Sequence, residues 1–172
     1  MARTKRRPSF SWILLLLIAG SRAQPSGAPA SVFDSVLPEL KRQTQIPILL
    51  PDHLPPLGGG QVFVSAEGQA ERYAIRLESD PDCDHAQVCF QGIFRAQKGG
   101  EFSFPEVVQI GTAAKGRFKA TSCGGSCSPP AIEWKLDGVL YTVQLNLLTR
   151  DERESRAAMI KVAQNAILHG PR

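Results

Sequence analysis

Residues 131–145 read AIEWKLDGVLYTVQL, and this stretch decides the fold. Asp137-Gly138 at its centre is the pair that a two-residue hairpin turn selects, because that turn needs positive φ at both positions. A hairpin closed there sets Leu136 opposite Val139, Trp134 opposite Tyr141, and Ile132 opposite Val143. All six side chains then share one face, and Glu133, Lys135, Thr142 and Gln144 share the other. Turn chemistry and alternation agree on one register, and a slip by one residue would exchange the two faces. Aromatic and branched cross-strand pairs of this kind contribute roughly 0.2–1 kcal/mol each.

An apolar sheet face needs a cover, and the flanking sequence supplies one. After the hairpin, Met159, Ile160, Val162, Ala163, Ala166 and Ile167 recur at helical spacing, with Arg153, Arg156, Lys161 and Gln164 on the outer side. Thr149 and Glu152 fit the T-x-x-E capping box, and Gly170-Pro171 stops the helix. Before the hairpin, strands are expected around residues 62–64, 73–77, 88–94, 107–110 and 117–121, with turns at Gly68 and at Lys98-Gly99-Gly100. The run IPILL, residues 46–50, carries Pro47, which limits it to an edge or a buried extended segment. Val32, Phe33, Val36, Leu37 and Leu40 fit a short amphipathic helix, which Pro38 either breaks or opens as a second half. The expected architecture is α+β: a twisted antiparallel sheet of about five to seven strands over residues 31–172. A C-terminal helix and a short N-terminal helix pack on one face.

The first 23 residues have the layout of a secretory signal peptide. Arg3, Lys5, Arg6 and Arg7 are its basic part, WILLLLIA (residues 12–19) its apolar part, and Ser21-Arg22-Ala23 its cleavage site, before Gln24. Eight apolar residues fall short of the ~20 that a membrane anchor needs, so no stable span is expected after cleavage. Residues 17–21, LIAGS, lack the cysteine of a lipobox, and Phe10 lies one place too far along for a twin-arginine signal. The formal net charge of +4 rests on that segment: without its five basic residues, 15 basic side chains face 16 acidic ones. Overall charge therefore gives no argument for nucleic acid or anionic lipid as a partner. QPSGAPA, residues 24–30, reads as a disordered linker.

Four cysteines in an exported chain favour disulfides. Cys123-x3-Cys127 fits a zinc pair only loosely, and Cys83-x5-Cys89 does so only if His85 joins it. A redox dithiol wants two spacer residues and a following helix, whereas Ser128-Pro129-Pro130 leads into a strand. The expected pairs are the local ones, Cys83–Cys89 and Cys123–Cys127, each bracketing its own turn. Gly124 and Gly125 are expected to supply positive φ inside the second ring. A short ring is worth about 2 kcal/mol on the chain-entropy model and a Cys83–Cys123 bridge nearer 4, so energy does not choose the local pairs.

Asp80, Asp82 and Asp84 match the opening of a calcium loop. His85 and Gln91 stand where that loop needs Gly and Glu, so a solvated acidic turn is the plainer reading. The histidines at 53, 85 and 169 are scattered, the three glycines at 58–60 lack the lysine of a phosphate loop, and no G-x-S-x-G or H-E-x-x-H occurs. No catalytic residue and no cofactor is expected from these patterns.

Residues 46–51, IPILLP, with Leu54-Pro55, Trp134 to Gly138 with Tyr141, and the closing helix with IKVAQNAI resemble small bacterial exported domains of unknown function. Cyanobacterial secreted proteins with two Cys pairs are similar, as are, more distantly, extracytoplasmic modules of anti-sigma-type regulators. The resemblance spans about residues 31–169 and implies a fold and a periplasmic or extracellular location, with no catalytic residue. Three functions follow as expectations. The first is a non-enzymatic module that binds an envelope or extracellular protein or senses the envelope. The second is a carrier of a small apolar ligand, marked by a large dry pocket under the terminal helix. The third is a hydrolase-type enzyme, marked by a polar cleft gathering His53 or His85 with Asp82 or Asp84.

Overall fold

The computed structural model describes residues 28–112 and 114–172. The expected signal segment, its expected cleavage point between Ala23 and Gln24 and most of the expected linker lie outside them. Seven antiparallel strands form one sheet: β1 (Phe63–Gln69), β2 (Arg72–Glu78), β3 (Phe90–Lys98), β4 (Glu106–Ile110), β5 (Ala114–Lys119), β6 (Ala131–Leu136) and β7 (Val139–Leu145). Their order across the sheet is β1-β2-β3-β7-β6-β5-β4. Two meanders, β1–β3 and β4–β7, therefore meet where β3 pairs with β7. Two helices complete the α+β domain: α1 (Leu37–Gln43) and α2 (Glu152–His169).

The β6–β7 hairpin has the expected register, with Leu136 opposite Val139, Trp134 opposite Tyr141 and Ile132 opposite Val143. Asp137 and Gly138 take φ of 50° and 77°. The Trp134 and Tyr141 rings stack with centroids 5.5 Å apart. Gly116 stands opposite Trp134 on β5, where an added Cβ would lie 2.6 Å from the Glu133 carbonyl oxygen.

One sheet face holds the core. Tyr73, Ile75, Leu77, Phe94, Phe118, Ile132, Trp134, Tyr141 and Val143 are each at most 4% exposed, under Met159, Val162, Ala163 and Ala166 of α2. Leu40 of α1 lies over Gly68, and Phe33 meets Phe94 edge-on at 5.4 Å. Pro38 sits in the first turn of α1, and a 3-10 turn (Ala30–Phe33) precedes it, so the amphipathic segment is split in two. The IPILL segment is buried and extended, tied to the end of the chain through Leu49 and Pro171.

Four expectations are corrected. The cap of α2 lies two residues later than the T-x-x-E reading: the Asp151 carboxylate accepts from the Glu154 N–H at 2.9 Å, and the Thr149 hydroxyl bonds the Glu154 side chain. Aspartate outcompetes threonine there because it brings a full charge to the helix N-terminus. Val88 is not in a strand; it is 88% exposed in a 3-10 turn (Gln87–Cys89) that the Cys83–Cys89 bond draws up before β3 starts. The linker is shorter than expected at its end, since Ala28 and Pro29 pair with Leu54 and His53. Neither Gly124 nor Gly125 takes positive φ; the ring closes as a two-residue ladder with Gly124 N–H donating to the Ser126 carbonyl.

The link from β3 to the far edge strand β4 crosses the outer face of the sheet, opposite α1 and α2. Gly100 lies on Leu140, Lys135 pairs with Glu101, and Arg117 and Lys135 flank the Phe102 ring at 5.5 and 5.3 Å. This crossing buries Glu133 to 1% exposure, and its carboxylate accepts the N–H groups of Ser103 (2.6 Å) and Phe104. Among the described residues no helix is long and apolar enough to cross a membrane.

Candidate functional site

Both disulfides form as the local pairs, Cys83–Cys89 and Cys123–Cys127. The sheet brings their loops to one end of the molecule. The first loop joins β2 to β3 and closes with Ser79 N–H donating to the Cys89 carbonyl. The second joins β5 to β6, two strands beyond β7. They touch where the Gln87 amide nitrogen reaches the Cys127 carbonyl at 3.4 Å.

Between them lies a cleft of about 480 Å³, within the ~300–1,000 Å³ of small-ligand sites. His85, Gln87 and Phe90 line it from the first loop, Ser128 and Pro129 from the second, and Gln144, Asn146 and Arg150 from the sheet end. Neighbouring backbone fixes the amides. Gln144 donates to Ser128 Oγ and to the Pro129 carbonyl, both at 3.0 Å, and Asn146 donates to the Phe90 carbonyl at 3.3 Å. Their donors are thus partly used and their acceptor oxygens set in place. No carboxylate lines the cleft itself, so Arg150 gives it a cationic bias, while His85 faces the Glu78 carboxylate beside it.

His85 owes its place to an unusual backbone. Asp84 and His85 take φ of 44° and 62°, a region that non-glycine residues enter rarely. The Cys83–Cys89 bond and the Ala86 N–H to Cys83 carbonyl contact hold this turn. His85 Nδ1 then lies 3.1 Å from the Glu78 carboxylate on β2. A bulge after Leu77 lets Glu78 pair with Phe90 and frees Gln91, whose side chain accepts from Gly59 N–H at 2.8 Å.

The remaining expected site residues do not converge. Asp80 accepts from the Asp82 N–H, closing a local turn, and among the described residues no three His, Cys, Asp or Glu side chains gather as metal ligands. Asp80, Asp82 and Asp84 are thus spread along a turn that is already hydrogen-bonded internally. The cleft takes His85 without Asp82 or Asp84. His53 lies elsewhere, in a notch of about 240 Å³ against Ala158, Lys161 and Val162 of α2.

His169 was expected only at a helix end, but it meets Asp52 together with Arg172. Hydrogen bonding from Arg172 holds the Asp52 carboxyl below its usual range, partial burial opposes this, and the charges of Arg172, His169 and His53 reinforce it. Asp52 N–H also donates to Asn165 at 2.6 Å, and Arg172 N–H to the Ile48 carbonyl at 3.0 Å. This cluster ties the last residues to the IPILL segment.

Sequence reading missed Gln144, Asn146 and Arg150. Alternation puts Gln144 on the outer face, but nothing local in the sequence shows that two distant disulfide loops close around it. Comparison of the chain with family models, characterised proteins and solved structures finds no match.

Proposed function

We propose that the chain is an exported, non-enzymatic binding module of the periplasm or cell surface, taking its ligand in the cleft between the two disulfide loops. One observation carries it: two covalently closed loops meet around a polar cleft whose amide groups are held by backbone contacts. Holding those groups before binding lowers the ordering cost of association. The acceptor oxygens of Gln144 and Asn146, with Arg150, suit a ligand rich in hydroxyl or amide donors that also bears negative charge.

The alternatives find less support. A carrier needs a dry cavity beneath α2, but Met159, Ala163 and Ala166 fill that space at 0% exposure. The apolar notch beside α2 is smaller than the usual range for ligand pockets. A hydrolase would be marked by a polar cleft gathering His53 or His85 with Asp82 or Asp84, whereas the cleft holds His85 without either aspartate.

The test is binding of envelope or extracellular material by the exported protein and by a Gln144→Ala/Arg150→Ala variant. The variant should lose the bound material while remaining folded, its stability lowered by no more than the two Gln144 hydrogen bonds, about 1–3 kcal/mol, and Lys161→Ala on α2 should keep it. Equal capture by all three would overturn the reading.

A further inference from the structure

The outer face of β1–β3 carries a row of cations that the cleft alone does not explain. Arg72 and Arg76 are four residues apart on β2, and strand alternation puts both on that face. Arg95 on β3 pairs with Ala74 and so lies diagonally between them. A depression of about 310 Å³ over Ala74 is walled by Glu67, Gln69, Arg72, Arg95 and Gln97. A second, of about 170 Å³, shares Glu67 and Ala74 with it and adds Ser65, Arg76 and His85. His85 also lines the cleft. The two depressions thus share Glu67 and Ala74, and His85 stands between the second and the cleft, so the three follow one another from the β1–β2 turn to the disulfide loops. β2 alone gives this path roughly 20 Å, at ~3.3 Å per residue.

Charge along the path is one-sided. Four arginines (72, 76, 95 and 150) line it, against the carboxylate of Glu67 in its wall and that of Glu78, which stands 3.1 Å from His85 beside it. Among the described residues none of the four arginines forms an ion pair, although Lys98 and Lys135 nearby are paired with Glu71 and Glu101. Arginines without a carboxylate partner on one face, Arg72 among them with its Nε donating to the Gln69 side chain at 2.9 Å, are a ready receptor for carboxylate or sulfate, which their planar forks bind in bidentate fashion.

We propose that this groove binds an extended acidic polysaccharide. Arg72, Arg76 and Arg95 take its anionic groups, and the fixed amides of the cleft take its hydroxyls. The proposal rests on the cleft being a ligand site. Two features favour a glycan over other polyanions. Single-stranded nucleic acid wants a run of aromatic stacking platforms, but Ala74 floors the trough, the neighbouring Tyr73 ring is buried on the opposite face, and Phe90 gives the cleft end a single ring. An acidic peptide strand gains most of its affinity from the backbone of an open sheet edge, whereas the arginines of this path stand on the face of β2 and β3, strands paired on both sides, and the edge strand β1 only walls it.

The experiment titrates the isotopically labelled exported protein with hexamers of galacturonate and with a heparin hexasaccharide, which separate carboxylate from sulfate. A neutral dextran oligomer, oligo-dT and a poly-glutamate peptide serve as comparisons. At least one acidic sugar should bind, weaken with added salt, and shift backbone amides in both the trough and the cleft. Arg76→Ser/Arg95→Ser should weaken it about tenfold or more, while Arg76→Lys/Arg95→Lys, which keeps the charge, should retain part of the affinity; unchanged amide spectra elsewhere establish that both variants are folded. Shifts confined to the cleft would overturn the groove and leave the cleft standing. Shifts confined to the trough would overturn the cleft reading and the continuous groove together. Binding of neither acidic sugar, or tighter binding of oligo-dT or poly-glutamate, would overturn the assignment of a glycan.

Discussion

Glu133 sits in the most informative stretch of the sequence, yet alternation alone treats it as a solvent-facing residue. It is buried because the β3–β4 link crosses above it and donates two N–H groups to its carboxylate. Glu133→Ala leaves those donors without a partner, and the expected loss is about 3 kcal/mol in denaturant unfolding, the upper end for an unmet buried group next to a charge. A cost below about 1 kcal/mol would mean that the crossing is not fixed there. Glycines sort in the same way. Gly116 is required by close approach, since a Cβ would collide with the Glu133 carbonyl and Ile110, and Gly116→Ala should cost about 1–3 kcal/mol. Gly124 has open space around it and no positive φ, although the sequence reading made it essential. Gly124→Ala should therefore leave stability unchanged or raise it by up to about 1 kcal/mol, through the unfolded chain. Thermal unfolding of the two variants side by side separates these roles.

At the scale of elements, the features legible in the sequence were those set by near neighbours. The β6–β7 register follows from one turn dipeptide and the alternation around it, and the α2 stripe follows from helical spacing. Residues that could play the same part a few positions apart were harder to rank. Thr149, Asp151, Glu152 and Glu154 offer two overlapping capping patterns, and only the geometry selects Asp151 with Glu154. Asp151→Ala should destabilise the fold by about 1 kcal/mol, and Glu152→Ala should be close to neutral. The reverse order would restore the earlier box. The disulfide pairs were chosen on bracketed turns, and both form. What stayed hidden was that their loops meet, because Gln87 and Cys127 are 40 residues apart and come together only when β3 pairs with β7.

At the scale of the molecule, the sheet gathers charges that the sequence keeps apart. The chain outside its leading segment is close to neutral, so no bulk figure points to a cationic face. Arg72, Arg76 and Arg95 become neighbours only through the β2–β3 register. The Asp52 cluster is gathered in the same long-range way, joining the IPILL segment to the end of α2, and it carries a testable pH dependence. Arg172 foremost lowers the Asp52 carboxyl from its usual value of 3.8. A carboxyl depressed in the folded state contributes stability that is fully present above its unfolded value. That contribution fades as pH falls through the lower folded value. Pro171 and Arg172 should accordingly stay docked on Leu49 and Ile48 at neutral pH and release in acid below about pH 4, before the sheet unfolds. Protection of the Arg172 amide, corrected for intrinsic exchange, measures this directly. Wild type should lose protection as pH drops from about 4 to 2 while the β6–β7 amides keep theirs, and Asp52→Asn should show weak protection of Arg172 at every pH. If wild type and Asp52→Asn instead trace the same curve, the backbone contacts alone dock the segment and the Asp52 carboxylate has no part in holding it.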